Sequence, residues 1–515
     1  MNDNQSMENW RVPEFEAILA ALLQERSPVY VVGGAVRDHL LGRDAGVTDL
    51  DLALAGPVLP AARQVADKLG WAYYPLDEER DVARLVLQRE TAPPLICDLA
   101  CLRGDLASDL ALRDFTINAL ALEMARDRVP RLIDQCGGRD DLAAGRIRTV
   151  GAESLAADPV RMLRAVRFAG QLGFAIDAET ETRILGGAQD VRQASAERLR
   201  DELWKIMGLP APGDALVDLH RLGLLVYVLP EVAAMDQIHQ SPPHHLDVLG
   251  HTVQVMNYAA NLRDWLTDPQ KGLPDADLEA ALVPLHDRLA AHFSAELSAG
   301  HSRGEWLVWH ALFHDTGKPS AYAEEVDETG ARRIRFFGHE NASAAIASER
   351  GEFLRFSRRE VQIAQKVAAN HMRPHHLADS FPDGEISRRA CYRFLRDTAT
   401  GGREDRTGLD VLFLALADRQ APGKTRGGGW GEYLKGMIGI IEYAFAPNPV
   451  AGNTLVDGNQ LMHSLDLPAG RMVGYLLESI AEAQAAGEVA TESDALALAA
   501  ELIRRGDFVP ADNAG

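Results

Sequence analysis

The chain of 515 residues is too long for a single hydrophobic core, so we expect about three domains, and 46% hydrophobic and 25% charged residues are typical of soluble globular proteins. The formal net charge of −22 opposes general attraction to nucleic acid but leaves room for a local basic groove. Four cysteines without a disulfide or zinc pattern, no apolar run of ~20 residues and no signal peptide predict a cytoplasmic protein without a membrane partner.

The first element with a chemical signature is a strand, a glycine turn and a short helix within residues 29–41. Val29–Val32 is a β-branched and aromatic run typical of a buried strand, and Gly33 and Gly34 follow at once. Two glycines let the backbone turn tightly and approach a ligand closely. A helix that begins at Ala35 would present free N–H groups to a phosphate. The pattern therefore predicts a phosphate-binding turn.

An acidic strand follows, in which Asp49 and Asp51 alternate with leucines. A spacing of two places both carboxylates on one face of a strand. Because adjacent acids repel each other unless a cation lies between them, this strand indicates a Mg²⁺ site beside the turn. The alternative is a solvent-facing acidic strand after an ordinary turn, but the two features in this order favour the metal site. A dinucleotide site is not indicated, since G-x-G-x-x-G is absent.

The runs GGAVRD, LLGR and DLDLA together resemble the signature of the class II tRNA nucleotidyltransferases, which comprise the CCA-adding enzymes and the bacterial poly(A) polymerases. The resemblance implies an α/β head of the polymerase-beta-like nucleotidyltransferase fold, followed by mainly α-helical neck, HD and tail domains. It also implies two Mg²⁺ at the paired acids and a triphosphate that rests on Gly33, Gly34 and Arg37. Asp98 is the candidate for the family's third catalytic carboxylate, and a turn-capping aspartate is the alternative.

The segment LRDFTINALAL resembles a family motif that contacts the sugar and phosphates of the nucleotide, which implies these roles for Arg113, Asp114 and Asn118. An aspartate can accept a hydrogen bond from a ribose 2′-OH, and an arginine pairs with phosphate. The alternative is a helix start capped by Asp114. Only GDLASDLAL separates Arg103 from this motif, which is too short for the family's flexible loop. In the family, loss of that loop goes with enzymes that add only the two cytidines.

An arginine-rich helix is predicted in ADPVRMLRAVRFAGQLGF, where Arg161, Arg164 and Arg167 recur every three residues opposite an apolar stripe. Asp158 and Arg161 share a face and resemble the family's EDxxR motif, whose Asp and Arg serve as a template for C and A, although Ala157 replaces the Glu. The resemblance implies that these residues bind the incoming nucleotide. The alternative is a capped amphipathic helix with a solvated arginine face.

Most of the 16 histidines lie after residue 230. The pair His314-Asp315, with a histidine before it and an aspartate after it, resembles the HD-domain metal-dependent phosphohydrolases. Imidazole and carboxylate ligands suit Mn²⁺, Ni²⁺ or Co²⁺, which would lower the pKa of a bound water and direct it at phosphorus. A surface or satisfied core role is the alternative for any single histidine. The predicted metal ligands are His251, His314, Asp315 and Asp418, and the candidates for a second metal or the substrate phosphate are His339 and His371.

The sequence therefore predicts a nucleotidyltransferase head in 1–150, a helical neck in 151–230, an HD domain in 231–440 and a helical tail in 441–515. We expect transfer of C and/or A from CTP or ATP to the tRNA 3′ end with release of pyrophosphate, together with HD phosphohydrolase activity. Four alternatives stay open: an enzyme that adds only CC, a poly(A) polymerase, a phosphohydrolase whose head senses nucleotides, and an RNA-binding scaffold with decayed sites. The oligomeric state is not predicted.

Overall fold

The chain is described by a computed structural model and divides into two compact units. One contains the residues up to Arg198 together with Arg221–Val228, and the other contains Leu199–His220 and the residues from Leu229 onward. None of the described helices combines the length and apolar character that a membrane crossing requires. The division at residues 150, 230 and 440 stays a prediction. The described residues are 15–25, 28–43, 47–90, 92–126, 128–242, 245–298, 300–326, 330, 332–402, 405–421, 429–446 and 454–506.

The first unit is built around a seven-stranded mixed sheet. The strand order is β3-β4-β5-β2-β1-β6-β7, in which β2 and β5 are parallel and the other neighbours are antiparallel. This order places the acidic strand β2 at the centre of the sheet, next to the strand of the glycine turn. The strands are β1 (Val29–Val32), β2 (Asp49–Leu54), β3 (Ala72–Asp77), β4 (Val82–Leu87), β5 (Leu95–Cys101), β6 (Leu120–Met124) and β7 (Arg131–Asp134).

Helices pack against this sheet and extend the unit beyond it. The apolar residues of the 58–69 helix, such as Val65, are buried against β3, β4 and β5, because their helical spacing forms one stripe. The helix 161–172 buries the apolar stripe that was predicted opposite its arginines. The helices are α1 (Glu16–Glu25), α2 (Gly34–Leu40), α3 (Val58–Leu69), α4 (Leu106–Ala111), α5 (Gly138–Ala143), α6 (Ser154–Ala157), α7 (Arg161–Leu172) and α8 (Ala178–Gly187), with a small sheet of β8 (Arg146–Ile147) and β9 (Ala175–Ile176).

The rest of the chain is mainly helical, with two hairpins. Its core includes the fully buried Trp265, Trp306 and Trp309, and the helix 407–420 is buried on nearly all sides. The elements are α9 (Ala196–Met207), α10 (Pro212–Arg221), α11 (Leu225–Val228), α12 (Pro230–Ala233), α13 (Val248–Thr267), α14 (Ala276–Leu282), α15 (His286–Phe293), β10 (Glu296–Ser298), β11 (His301–Ser302), α16 (Arg303–Phe313), β12 (Ala323–Val326), β13 (Arg332–Arg335), α17 (His339–Phe353), α18 (Arg358–Asn370), α19 (Arg373–Ser380), α20 (Arg388–Thr398), α21 (Thr407–Gln420), α22 (Trp430–Phe445), α23 (Gly458–Leu465), α24 (Arg471–Ala486) and α25 (Glu492–Arg505).

Candidate active and metal-binding sites

Three of the predicted acids share one face of the central sheet. Asp49 and Asp51 are exposed, whereas Leu50 and Leu52 between and after them are buried, as the alternation of β2 predicts. In the parallel pairing of β2 with β5, Asp98 lies directly opposite Asp51. We call Asp49, Asp51 and Asp98 the acid face.

The three carboxylates of the acid face repel one another. The surrounding protein partly removes water from Asp49 and Asp51, and the nearby carboxylate of Asp98 adds repulsion, so the pKa of both aspartates is raised. A divalent cation would relieve this repulsion, and carboxylate oxygens are the ligands that Mg²⁺ prefers. The donor set of the acid face therefore fits Mg²⁺.

Asp98 already has a cationic partner that the sequence analysis did not identify. Arg84 on β4 lies directly opposite Asp98, its Nε donates to Asp98 Oδ1 at 2.8 Å, and its Nη2 donates to Oδ2 at 2.8 Å. The available signal was an arginine within the apolar run VARLVL. Local sequence could not indicate its partner, because the register in which β4 pairs with β5 decides which residue lies opposite Arg84.

The glycine turn lies beside the acid face. Gly33 has φ 76° and ψ −135°, immediately before α2, which begins one residue earlier than predicted. A Cβ atom at Gly33 would lie 3.2 Å from Arg113 Nη1 and 3.4 Å from Asp51 Oδ2. Both the backbone conformation and the crowding therefore favour glycine. This proximity brings the predicted phosphate-binding turn, one acid and one arginine together.

A buried polar network lies behind the turn. Arg37 is buried, its Nη1 donates to Asn118 Oδ1 at 2.8 Å, and its Nε donates to Asp38. Asn118 Nδ2 donates to Asp114 Oδ1 at 3.2 Å, and Arg164 donates to Asp114 Oδ2 through Nε at 2.8 Å and Nη2 at 2.6 Å. Burial alone would raise the pKa of Asp114, but Arg164 and the hydrogen bonds lower it below its usual value. Protein partners therefore hold Arg37, which was predicted to contact the triphosphate.

Arg161 connects α7 to the LRDFTINALAL segment. Its Nη1 lies 3.1 Å from the carbonyl oxygens of Arg113 and Ser154, and its Nη2 donates to the carbonyl of Leu112 at 2.9 Å. Burial lowers the pKa of Arg161, although nearby carboxylates oppose this shift. The predicted base-reading arginine thus adjoins the predicted sugar-binding motif.

Asp158 lies beside Arg161, with 3.8 Å between its Oδ2 and Arg161 Nε. The same Oδ2 accepts from Arg198 Nη2 at 2.7 Å. Within the part of the chain that the structure describes, the buried Oδ1 of Asp158 has no hydrogen-bond partner. A buried acceptor of this kind could receive a donor from a ligand. Arg167 lies over the ring of Phe168, with 4.2 Å between the guanidinium carbon and the ring centroid.

The short segment between Asp98 and Arg113 is a structured helix, α4. Asp105 caps its N-terminus by accepting from the N–H of Ser108 at 2.8 Å. Asp109 is buried on this helix and accepts from Arg103 Nε at 2.7 Å and Arg113 Nη2 at 3.4 Å. Burial by itself would raise the pKa of Asp109, but the effect of its arginine partners is larger, so the pKa lies below its usual value. Asp109 on α4 thus holds the Arg113 guanidinium in place.

The histidine motifs of the second unit converge on two sets of possible metal ligands. Each set has its ligand atoms within 4.8 Å of one another, and all members are buried. Both sets contain Asp315, so the arrangement could hold two ions that share one carboxylate. The sets are His251, His314 and Asp315, and Asp315, His339 and His371.

Three of these histidines are oriented by the backbone. The Nδ1 atoms of His314, His339 and His371 lie 2.7 Å from carbonyl oxygens, so Nδ1 carries the proton and Nε2 presents a lone pair. The Nε2 atoms of His339 and His371 are 3.2 Å apart. Two lone pairs at this distance repel each other unless a cation or a proton lies between them. The donor set therefore fits a transition metal.

Asp418 lies at the edge of these sets and has two histidine partners. Its Oδ1 lies 2.8 Å from His251 Nε2, and its Oδ2 lies 3.0 Å from His375 Nε2. Burial by itself would raise the pKa of Asp418, but the two histidines hold it well below its usual range. His375 was not among the predicted ligands, although it follows His371 by only four residues; it lies on the next helix, α19. Lys318 Nζ lies 2.7 Å from Asp315 Oδ2.

Three family models match consecutive parts of the chain. The "Poly A polymerase head domain" matches residues 29–148, and the "Probable RNA and SrmB- binding site of polymerase A" matches residues 173–236. The "HD domain" matches residues 248–422. These ranges contain the acid face and the histidine motifs.

Curated relatives match nearly the whole chain. An A-adding tRNA nucleotidyltransferase of Deinococcus radiodurans is 33% identical over 475 residues, which cover 91% of this chain and 94% of the relative. The chain belongs to the tRNA nucleotidyltransferase family. A CC-adding tRNA nucleotidyltransferase of Thermus thermophilus is 32% identical, with 91% of this chain and 92% of the relative covered. The predicted family and enzyme class are therefore confirmed.

Solved structures of this tRNA nucleotidyltransferase family have the same fold. A CCA-adding enzyme in complex with ATP has a TM-score of 0.62 at 19% identity, with 98% of both chains covered. A Thermotoga maritima CCA-adding enzyme complexed with tRNA has a TM-score of 0.58 at 20% identity, with 97% of this chain and 98% of the other covered. The predicted fold class, an α/β head followed by mainly helical domains, is confirmed.

Proposed function

We propose that the protein transfers CMP or AMP from CTP or ATP to the 3′ end of tRNA and releases pyrophosphate. The observation that carries the proposal is the acid face beside the Gly33 turn. The relatives named A-adding and CC-adding tRNA nucleotidyltransferases support the same reaction. A tRNA substrate also agrees with the cytoplasmic location that the sequence predicts.

Asp49 and Asp51 would hold two Mg²⁺, with Asp98 as the third carboxylate. When bound, these ions would favour the ionised form of the attacking 3′-hydroxyl and neutralise charge on the triphosphate. The backbone N–H of Gly34 would bind a phosphate oxygen at the start of α2, and Gly33, whose own N–H donates to the carbonyl of Leu120 at 3.3 Å, would let the phosphate approach the turn closely.

Arg113 would contact the triphosphate, since its guanidinium lies beside Gly33. Asp114 and Asn118 would bind the ribose, where an ionised carboxylate accepts from the 2′-OH and selects ribonucleotides. Arg37 and Arg164 would position these two residues through their hydrogen bonds. These roles explain why so many charged groups are buried at one place.

Asp158 and Arg161 would read the Watson–Crick edge of the incoming base. Asp158 supports this role with an unpaired buried oxygen, and Arg161 lies next to it. To bind the base, the Arg161 guanidinium would have to give up hydrogen bonds that it now donates to backbone carbonyl oxygens. Arg164 and Arg167 continue the same helix face and would extend the nucleotide contact.

The direct test is incorporation of labelled CTP or ATP into tRNA that lacks its 3′ end. We expect Asp49→Asn to reduce transfer by at least about a thousandfold, because a metal ligand is lost. Asp67→Asn is the matched control, since Asp67 is an exposed acid of the same unit that pairs with Arg63. Undiminished transfer by Asp49→Asn would refute the metal assignment.

Within this function we propose addition of the two cytidines only. The short segment between Asp98 and Arg113, most of which is the ordered helix α4, supports this choice, because the family resemblance implies a longer flexible loop there in enzymes that add the complete CCA end. Efficient addition of AMP to a tRNA that ends in CC would overturn the restriction and make the protein an A-adding or CCA-adding enzyme. Long A tracts on generic RNA would instead identify a poly(A) polymerase.

We propose a metal-dependent phosphohydrolase as a second activity of the same chain. The two ligand sets that share Asp315 carry this proposal. His251, His314, Asp315 and Asp418 would hold Mn²⁺, Ni²⁺ or Co²⁺, and His339 and His371 would hold a second ion or the substrate phosphate. A bound metal would supply a water of lowered pKa near phosphorus.

The phosphohydrolase is tested with a phosphate monoester and a 2′,3′-cyclic nucleotide in the presence of each metal. We expect hydrolysis by the purified protein and its loss in Asp315→Asn, since Asp315 belongs to both ligand sets. Elemental analysis should find less transition metal in the variant. Hydrolysis without any CMP or AMP transfer would favour the alternative in which the head only senses nucleotides.

A further inference from the structure

The acid face has a cation of its own, the guanidinium of Arg84. Arg84 lies directly opposite Asp98 between β4 and β5, and Asp98 lies directly opposite Asp51 between β5 and β2. The three side chains therefore form a row across three neighbouring strands. Arg84 is also close enough to Asp49 and Asp51 to interact with both through charge.

The geometry of the pair determines what Asp98 can do. The Arg84 Nε and Nη2 each donate to a different oxygen of Asp98 at 2.8 Å, which is the bidentate arrangement of a strong arginine–carboxylate pair. Metal ligation by Asp98 would therefore require the arginine to share or release an oxygen. Arg84 and Arg113 are the two cations that act on the three carboxylates, so the acid face keeps an excess of negative charge that attracts a divalent cation.

We propose that Arg84 is the internal counter-ion of the acid face, which holds Asp98 in place without Mg²⁺ and competes with Mg²⁺ for it. This inference rests on the proposed Mg²⁺ site. Arg84 is then a positioning residue that weakens metal binding and stabilises the metal-free head. If Arg84 instead oriented Asp98 as a ligand, its removal would weaken Mg²⁺ binding.

The test is a Mg²⁺ titration of full-length Arg84→Gln, followed by both melting temperature and CMP incorporation. We expect the half-saturating Mg²⁺ concentration to fall by about fivefold in both measurements, because loss of the guanidinium beside Asp98 leaves more uncompensated negative charge on the acid face. The melting temperature in EDTA should fall below that of the wild type and recover with Mg²⁺. Arg84→Lys, which keeps the charge, should stay near the wild-type half-saturation.

The matched control is Arg131→Gln. Arg131 pairs across the same sheet with the directly opposite Glu123, at 2.7 Å and away from the acid face. We expect no change in its Mg²⁺ dependence. An unchanged or raised half-saturation in Arg84→Gln would overturn the counter-ion role.

Asp49→Ala separates failure of this inference from failure of the proposed function. The Mg²⁺-dependent rise in melting temperature that is lost in Asp49→Ala defines the head site, whatever metal the histidine sets bind. If wild type and Asp49→Ala respond identically to Mg²⁺, the metal site itself is refuted and the role of Arg84 falls with it. If they differ while Arg84→Gln behaves like the wild type, only the counter-ion role is refuted.

Discussion

Asp114 illustrates how a single buried charge supports this protein. The residue is 7% exposed, yet the pKa of its carboxyl is lowered, because Arg164 and the N–H of Phe115 compensate the loss of water. A carboxylate that stays ionised can accept from a sugar hydroxyl, whereas a protonated one would donate. The same contacts that stabilise the fold thus preserve the chemistry proposed for the site.

We predict that Asp114→Asn lowers both stability and transfer. The substitution replaces the carboxylate whose Oδ2 accepts from both Nε and Nη2 of Arg164 with a neutral amide, and loss of one partner of a buried pair costs about 3 kcal/mol of unfolding free energy. Urea unfolding followed by circular dichroism measures this change. Arg63→Gln, which removes an exposed pair on α3, should change stability by less than about 0.5 kcal/mol. Equal effects of the two variants would contradict the prediction.

At the scale of elements, the strand–turn–helix unit of β1 and α2 depends on one glycine. Gly33 combines a positive φ with a position close to Arg113 and Asp51. We predict that Gly33→Ala reduces CMP incorporation by about tenfold or more, because the new methyl group crowds the Arg113 guanidinium beside Asp51 and strains the backbone.

Gly42→Ala is the control for this prediction. Gly42 also has a positive φ of 67°, but a Cβ there meets no atom within 4 Å. It should therefore share the backbone strain and keep the transfer activity. If Gly42→Ala reduced incorporation as much as Gly33→Ala, strain rather than proximity to the acid face would be the cause.

The N-terminus of α18 carries the clearest pH dependence of stability. Ser357 caps this helix, and Glu360 completes the capping box by accepting from the N–H of Ser357; Glu360 also accepts from His301 Nδ1 at 2.8 Å. Burial opposes ionisation, but these hydrogen bonds lower the pKa of Glu360 to about 2. A lowered folded-state pKa gives stability that is fully present above the unfolded value near 4.5 and is lost as the pH falls towards 2.

We predict that this contribution is at most about 3 kcal/mol and disappears in Glu360→Gln. The measurement is the thermal unfolding midpoint from about pH 6 to about pH 3 in wild type and variant. The wild type should lose more stability than the variant over this range. Parallel curves would show that Glu360 does not titrate with unfolding.

For the whole molecule, the two proposed centres lie in different compact units. The acid face belongs to the unit that contains the residues up to Arg198, and Asp315 belongs to the other. We predict that Asp315→Asn abolishes phosphate-ester hydrolysis and leaves CMP incorporation unchanged, whereas Asp49→Asn has the reverse effect. Parallel assays of both variants with both substrates measure this separation. A variant that lost both activities while remaining folded would contradict it.

Local sequence was sufficient for the features that depend on backbone period. The alternation of β2 placed Asp49 and Asp51 on one face, and the apolar stripe of α7 predicted its buried side. The histidine motifs indicated the second metal centre because each motif is contiguous. Side-chain direction in a strand or helix follows from a residue's own neighbours, so these predictions needed no knowledge of distant strands.

The sequence by itself therefore determined the order of the elements, the family and most candidate ligands. Only the tertiary structure decided which charges meet: Arg84 with Asp98, the burial of Arg37 against Asn118, and His375 with Asp418. Each of these pairs joins segments that are distant in the chain or belong to different elements. Their partners depend on strand order and helix packing, which bring side chains together through long-range burial rather than through local spacing.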